Sequence, residues 1–507
     1  MADLQLDTLE AKGLIRLATV QPELEYLFRH ALVQDTAYGS LLKQERKALH
    51  LLVGDALEEL YPDRRGELGA VLAMHFEQAG ETDRAIRYLA EAARFAYDRF
   101  AIVEAFDLFS RAAALLPPRQ AGDDEATRRQ RVEIELGRVK AGFSFLTPGQ
   151  SLGILEPIVA DAESLADRRL AAEVHVSTAV LRQFSGERPD TSPSLKQSLD
   201  RITEIATELK DPLIAAIPAS IVGLFQMFTG ELREGTAKLA EAAPLLEQKR
   251  DYVGSSFALV GLAIGFARMG EFDAAEEAAR RAAEVAEGGD LIAKLDSLIG
   301  LSTVRSVRGD LESAVPLATQ CTNLAEETGA TACVVASNFV LGDAYMRQGK
   351  FGDAKIVFER GNEVANAIEK KTFRPSIIAY MRSNAASMGD FGPNARSFDE
   401  ALEEARSVGD RWSEANVVWK RAETEAKTPN GDREHILGDF EAAAAGFEEM
   451  GARPYLARVL HGWGHALRKA DKRDDGDQKL RRALALFEEM GITREAGEVK
   501  EELAAPA

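Results

Sequence analysis

Apolar residues recur at helical spacing along nearly the whole chain, and short turns interrupt them at regular intervals. The turns carry a glycine, then often an acid, an apolar residue, and an alanine three positions later. The glycines lie 39 or 40 residues apart, as their numbers show: Gly230, Gly270, Gly309, Gly349 and Gly389. Glycine can end a helix because it enters the left-handed conformation without steric cost. The pattern therefore predicts helix pairs with a repeat of about 40 residues.

The repeat extends beyond these five turns. The run Phe447-Glu448-Glu449-Met450-Gly451 returns unchanged as Phe487-Glu488-Glu489-Met490-Gly491, and Gly80 begins an earlier copy. One helical hairpin cannot bury its apolar face alone, so it stacks on its neighbours. We therefore predict an all-α fold, a right-handed superhelical solenoid of helix hairpins. The exception is a small ribbon near Leu14 to Leu27.

The unit around Gly349 resembles a tetratricopeptide repeat. The residues at the family's spacing are Leu341, Gly342, Tyr345, Gly349, Phe351, Ala354 and Phe358. The period of about 40 residues exceeds the usual 34. The resemblance thus implies tetratricopeptide-like hairpins with longer helices or extended turns.

Proline- and glycine-rich interruptions divide the chain into five predicted regions. They are a winged-helix-like remnant with a linking helix (1–60), first helical repeats (61–118), irregular helical repeats (119–210), a tetratricopeptide-like array (211–427), and C-terminal repeats with a cap (428–507).

The N-terminal region resembles a segment of bacterial signalling proteins of the class III nucleotide cyclase and STAND ATPase type. The matching residues are Phe28, Arg29, His30, Ala31, Leu32, Tyr38, Leu41, Leu42, Arg46 and His50, with Met74-His75-Phe76 farther on. In those proteins the segment closes a winged-helix-like region after the ATPase core, and tetratricopeptide repeats follow. The resemblance implies a winged-helix-like remnant here, in which His30 is either a retained nucleotide contact or a structural helical histidine.

Composition argues against most catalytic and nucleic-acid functions. No Gly-x-x-x-x-Gly-Lys-Ser/Thr phosphate loop occurs, so we expect no enzyme activity from this chain. The net charge is −20, which repels phosphate backbones, so we expect no nucleic-acid partner. The uncharged stretch from Pro212 to Gly230 fits a repeat helix better than a membrane span. We expect a cytoplasmic protein without a membrane partner.

Few residues suggest a reactive thiol or a metal site. Cys321 and Cys333 stand in apolar helical stretches and are expected to be buried thiols. His461 and His465 share a helix face, but no third ligand is evident, so we expect no metal site and no cofactor.

Two functions remain open. The first is a scaffold or sensor that binds a protein or peptide in the concave groove. The second is the regulatory C-terminal portion of an ATP-dependent nucleotide cyclase or STAND ATPase whose catalytic domains are not in this chain. A P-loop in the reading frame before Met1 would favour the second.

The groove residues can be predicted by counting back from each glycine. This places ten residues on the inner face: Leu224, Met227, Phe228, Ile264, Arg268, Thr303, Asp343, Met346, Arg347 and Tyr380. Arginines there could bind a carboxylate of the partner. The alternative is that Leu224, Phe228 and Ile264 simply pack between repeats.

Overall fold

The computed structural model describes residues 2–19, 25–248, 252–288, 291–368, 374–391, 395–428 and 431–505. The chain divides into two compact units. The first comprises Met1–Tyr97 and Asp107–Arg119, and the second comprises Asp98–Phe106 and Gln120–Ala507. The finer division into five regions stays a prediction, and Pro429 and Asn430 of one predicted loop lie outside the described residues.

The first unit contains helices and one small ribbon. Its elements are α1 (Ala2–Ala11), β1 (Ile15–Thr19), β2 (Glu25–Phe28), α2 (Ala31–Ser40), α3 (Lys43–Leu60), α4 (Arg65–Ala79), α5 (Thr82–Asp98) and part of α6 (Ile102–Leu115). The predicted ribbon is confirmed: β1 and β2 are antiparallel, with Ile15 opposite Phe28. Residues 20–24 between the strands lie outside the described residues.

The rings of Tyr38, His50 and His75 connect helices α2, α3 and α4 of this unit. The Nδ1 atoms of His50 and His75 are 3.0 Å apart, and the Tyr38 hydroxyl is 2.9 Å from Nε2 of His50. Burial, and then the charge of His50, lowers the pKa of His75. Residues that mark the N-terminal resemblance on α2, α3 and α4 therefore meet in one hydrogen-bonded chain.

The second unit is an array of antiparallel helix hairpins. It begins with α7 (Glu125–Gly142), α8 (Pro148–Leu155), α9 (Val159–Glu163), α10 (Arg168–Phe184) and α11 (Pro193–Leu209). The regular array follows: α12 (Pro212–Thr229), α13 (Leu232–Gln248), α14 (Tyr252–Met269), α15 (Phe272–Gly288), α16 (Leu291–Arg308), α17 (Leu311–Thr328), α18 (Thr331–Arg347), α19 (Phe351–Ala367), α20 (Arg374–Ser387), α21 (Ala395–Ser407), α22 (Arg411–Glu425), α23 (Arg433–Glu449), α24 (Arg453–Lys469), α25 (Arg473–Glu489) and α26 (Thr493–Ala504).

The predicted glycine turns are confirmed. All five repeat glycines have positive φ angles, from 74° at Gly349 to 104° at Gly230, and each lies between the two helices of a hairpin. Ala275, Ala314 and Ala354, which follow three of them, are fully buried. The chain is therefore an all-α solenoid of tetratricopeptide-like hairpins.

The array also closes on itself between distant repeats, with α12 against α22 and α14 against α24. A side chain at Gly230 would collide with the Met450 sulfur, and one at Gly270 would collide with the Met490 sulfur. The two methionines belong to the run that recurs after 40 residues, and the two glycines are 40 residues apart as well. Two copies of the turn glycine thus pack against the two copies of the Phe-Glu-Glu-Met-Gly run across the array.

Helix α12 is the one described helix that is long and apolar enough to cross a membrane by length and composition. It is paired with α13 and also contacts α14 and α22. In this packing, 33% of the helix is buried.

Candidate functional site

A cavity of about 1110 Å³ lies inside the C-terminal half of the array, entirely within the second unit. We call it the chamber. Side chains from α18, α19, α20, α22, α23, α24 and α26 line it. Its aromatic lining residues are Phe351, Tyr380, Trp419, Phe440 and Tyr455. Its charged lining residues are Asp343, Arg347, Lys420, Glu423, Glu425, Lys427, Arg433, Arg458, Lys469, Arg494, Glu495, Glu498 and Glu502.

Glu495 of α26 links three helices at one side of the chamber. Its Oε1 accepts hydrogen bonds from Nη2 of Arg458 at 2.9 Å and from Nη2 of Arg347. Only 9% of the Glu495 side chain is exposed. Burial alone would raise the pKa of Glu495, but the charges of Arg458 and Arg347 lower it to about 2. The carboxylate is therefore held ionised in the interior.

The two arginines also bind the backbone of an earlier repeat. Arg347 donates to the carbonyl of Ser306 at 2.6 Å, and Arg458 donates to the carbonyl of Val307 at 2.7 Å. These carbonyls are in the last turn of α16, where the helix has no N–H left that could bond them, and that of Ser306 also accepts from the backbone N–H of Gly309 at 3.0 Å. The ionic group therefore connects α26 and α24 to α16 and α18.

A lysine and two aromatic rings form another part of the wall. Nζ of Lys420 lies 3.5 Å from the ring centre of Trp419 and 4.4 Å from that of Tyr380, and it forms an ion pair with Glu423 at 3.0 Å. Burial lowers the pKa of Lys420 although Glu423 opposes this change. Trp419 is 4% exposed, and its Nε1 has no hydrogen-bond partner in the described residues.

Four of the ten predicted groove residues line the chamber, namely Asp343, Met346, Arg347 and Tyr380. The other six, Leu224, Met227, Phe228, Ile264, Arg268 and Thr303, are not part of its lining. Met227 and Ile264 belong to the main apolar core, and Leu224 and Phe228 pack against it. The role of all ten in partner binding stays a prediction.

Arg268, one of the predicted groove residues, is packed in the interior of the array. It is 6% exposed, its guanidinium lies 3.8 Å from the ring centre of Trp412, and it donates to the Met227 carbonyl at 3.0 Å. Burial lowers the pKa of Arg268 to about 10. Its guanidinium therefore contacts groups from both sides of the closed array.

The remaining candidate residues are three histidines and two cysteines. His30 is exposed at the start of α2, and its proposed nucleotide contact stays a prediction. His461 and His465 both contact the carboxylate of Glu502, at 3.0 and 2.9 Å. Across the described ranges no cluster of three potential ligands is arranged to hold a metal ion. Cys321 and Cys333 are buried thiols, as predicted.

Sequence reasoning missed most of the chamber, including Trp419, Tyr455, Arg458 and Glu495. The groove residues predicted from the sequence end at the repeat of Gly389, whereas these residues belong to α22, α24 and α26. Continuing the inner-face pattern into the C-terminal repeats could have identified them.

No family model matches the sequence. A stretch of 172 residues, 33% of the chain, is 28% identical to an uncharacterized protein of Rhizobium meliloti (strain 1021). The match spans only 16% of the length of that relative.

Solved structures resemble the chain in fold. A Rap protein complexed with competence and sporulation factor gives a TM-score of 0.54 at 12% identity, over 72% of this chain and 99% of that one. The Cut9-Hcn1 hetero-tetramer of the APC/C gives a TM-score of 0.50 at 11% identity, over 92% of this chain and 89% of that one. The likeness concerns the fold, and it identifies this chain as a tetratricopeptide-like helical solenoid.

Proposed function

We propose that the second unit is a protein-binding module that holds a peptide, or an extended segment of a partner protein, inside the chamber. The observation that carries the proposal is the chamber's size and lining. Its volume of about 1110 Å³ is at the upper end of the roughly 300–1,000 Å³ range of ligand pockets, so it has room for a short peptide segment. Its aromatic rings offer anchors, and its charged groups offer specific partners for a peptide.

The fold comparisons support a binding function in general terms. The Rap protein was crystallised with competence and sporulation factor, and Cut9-Hcn1 is a hetero-tetramer. Related helical arrays thus bind partners. For this chain we propose a scaffold or sensor of bacterial signalling, in the cytoplasm, without catalytic activity of its own.

Filling the chamber should abolish peptide binding. Ala466 and Ala426 line it, and a tryptophan at either position would occupy space that the ligand needs. Peptides selected from a random display library on the wild-type chain should bind Ala466→Trp and Ala426→Trp at least about tenfold more weakly in fluorescence polarisation.

Ala445→Trp is the matched control, because Ala445 is exposed on α23 and lies outside the chamber lining. It should bind like the wild type. Equal binding by all three variants would place the peptide elsewhere. A library from which no binder can be selected would remove the proposal altogether.

A second function is favoured by the surface of the first unit. Helix α2 buries none of its residues, and Leu32, Leu42, Leu52 and Leu60 are 64–79% exposed. Exposed apolar side chains at this density are typical of a surface that another protein or domain covers. The unit could therefore dock onto the catalytic part of a larger ATPase or cyclase. The test is the complete reading frame: a phosphate loop encoded in frame with this chain supports the proposal, and a frame without one contradicts it.

A further inference from the structure

Three cations in the chamber lining have no carboxylate partner among the described residues. They are Lys427, just after α22, Arg433 in the first turn of α23, and Lys469 at the end of α24. Lys427 donates to the hydroxyl of Ser387 at 2.9 Å. Arg433 and Lys469 are exposed. Each of the three therefore retains hydrogen-bonding capacity for a ligand.

Four of the six acidic residues of the lining are paired with an arginine or a lysine, and the other two, Glu425 and Glu502, are paired with histidines, which carry a charge only when protonated. Asp343 pairs with Arg347, Glu423 with Lys420, Glu498 with Arg494, Glu495 with Arg347 and Arg458, Glu425 with His435, and Glu502 with His461 and His465. In a chain of net charge −20, the lining of the chamber carries seven arginines and lysines against six carboxylates, and the three charges that lack an ion-pair partner among the described residues are cations. An anionic ligand would complement them.

The three cations lie at one end of the helix hairpins. Helices α23 and α24 form a hairpin, so the start of α23 adjoins the end of α24, and α23 follows directly after α22. Lys427 and Lys469 are near helix C-termini, where a cation also favours the helix dipole. Arg433 is near a helix N-terminus, where the dipole disfavours a cation. Helix stability therefore does not account for Arg433.

We propose that the chamber selects acidic peptides, whose carboxylates bind Lys427, Arg433 and Lys469. The inference rests on the proposed function and specifies its ligand. A peptide fits better than a nucleic acid, because the net charge of −20 on the whole chain repels a long phosphate backbone more strongly than it repels a short peptide with a few carboxylates.

The test compares one selected peptide in three synthetic forms. The first keeps its acidic residues, the second has Asn and Gln in their place, and the third has Lys. The acidic form should bind at least about tenfold more tightly than the amide form, and the Lys form should not bind detectably. The triple variant Lys427→Gln, Arg433→Gln, Lys469→Gln should lose the preference for the acidic form.

The matched control removes the same charge from the outer surface. Arg280, Lys355 and Lys500 have 56%, 56% and 57% of their side chains exposed and lie outside the chamber lining. Their joint replacement by Gln should leave the preference intact.

The outcomes separate the two proposals. If selected peptides bind the chamber but the amide form binds as tightly as the acidic form, acid selection is wrong and peptide binding stands. If no peptide binds, both fall. A fluorescein-labelled oligothymidylate that competes with the acidic peptide would show a nucleic-acid site instead.

Discussion

Replacement of Glu495 by leucine is expected to lower the free energy of unfolding by about 3–5 kcal/mol, because it leaves two largely buried guanidinium groups without their shared carboxylate. The side chains of Arg347 and Arg458 are only 16% and 11% exposed. Urea unfolding followed by tryptophan fluorescence measures the change. All three tryptophans (Trp412, Trp419 and Trp463) lie in the second unit, so the signal reports on the array.

Glu498→Leu is the control on the same helix. Glu498 has 48% of its side chain exposed and pairs with Arg494 at 3.3 Å. An exposed pair of this kind contributes less than about 1 kcal/mol. If the two substitutions cost the same, the ionic group around Glu495 does not connect the helices as described.

Glu495 also makes the stability of the array depend on pH in the acid range. The pKa of Glu495 is about 2 in the folded chain, against an ordinary value of 4.5. A lowered pKa stabilises the fold fully above 4.5, and this stabilisation is lost as the pH falls from 4.5 towards 2. It corresponds to about 3 kcal/mol. The stability difference between wild type and Glu495→Leu should therefore shrink over this interval, and a constant difference would contradict the assignment.

Gly235→Ala is expected to destabilise the array by about 1–3 kcal/mol, because α12 and α13 approach too closely for a methyl group. A Cβ at Gly235 would lie 2.5 Å from the carbonyl oxygen of Gly223 and 2.6 Å from the amide nitrogen of Met227. Both are backbone atoms of α12, so a side-chain rotation cannot relieve the contact.

Gly438→Ala is a control for which we expect the opposite change in stability. Gly438 is inside α23, and a Cβ there meets no atom within 4 Å. Alanine favours a helix over glycine by up to about 1 kcal/mol, so this variant should be more stable than the wild type in the same urea experiment. Destabilisation of similar size at both positions would mean that helix contact at Gly235 is not the cause.

The local features of the fold could be predicted because each depends on residues close in sequence. The turn glycines, the ribbon and the small residue that follows four of the five turns fall in this class. Gly235 occupies the position that Ala275, Ala314 and Ala354 occupy in later repeats, five residues after the turn glycine. The repeat period thus aligns Gly235 with positions that carry a buried alanine in the later repeats.

The chamber could not be predicted in the same way, because it depends on how far the solenoid curves. Arg347 and Glu495 are far apart in sequence and meet only after the array has closed. A small change in the angle between successive repeats, summed over several hairpins, would separate them. The inner-face pattern specifies which residues point inwards, but not which of them meet others and which remain open to a ligand.

Locating a bound peptide tests most directly whether the chamber is the binding site. A selected peptide carrying a photoreactive benzophenone side chain should crosslink to residues of α22, α24 and α26, such as Trp419, Tyr455 and His465, which line the chamber. Mass spectrometry of the digested adduct identifies the crosslinked residues. Crosslinks confined to the outer helices α13, α15 and α17, or to the first unit, would contradict binding inside the chamber.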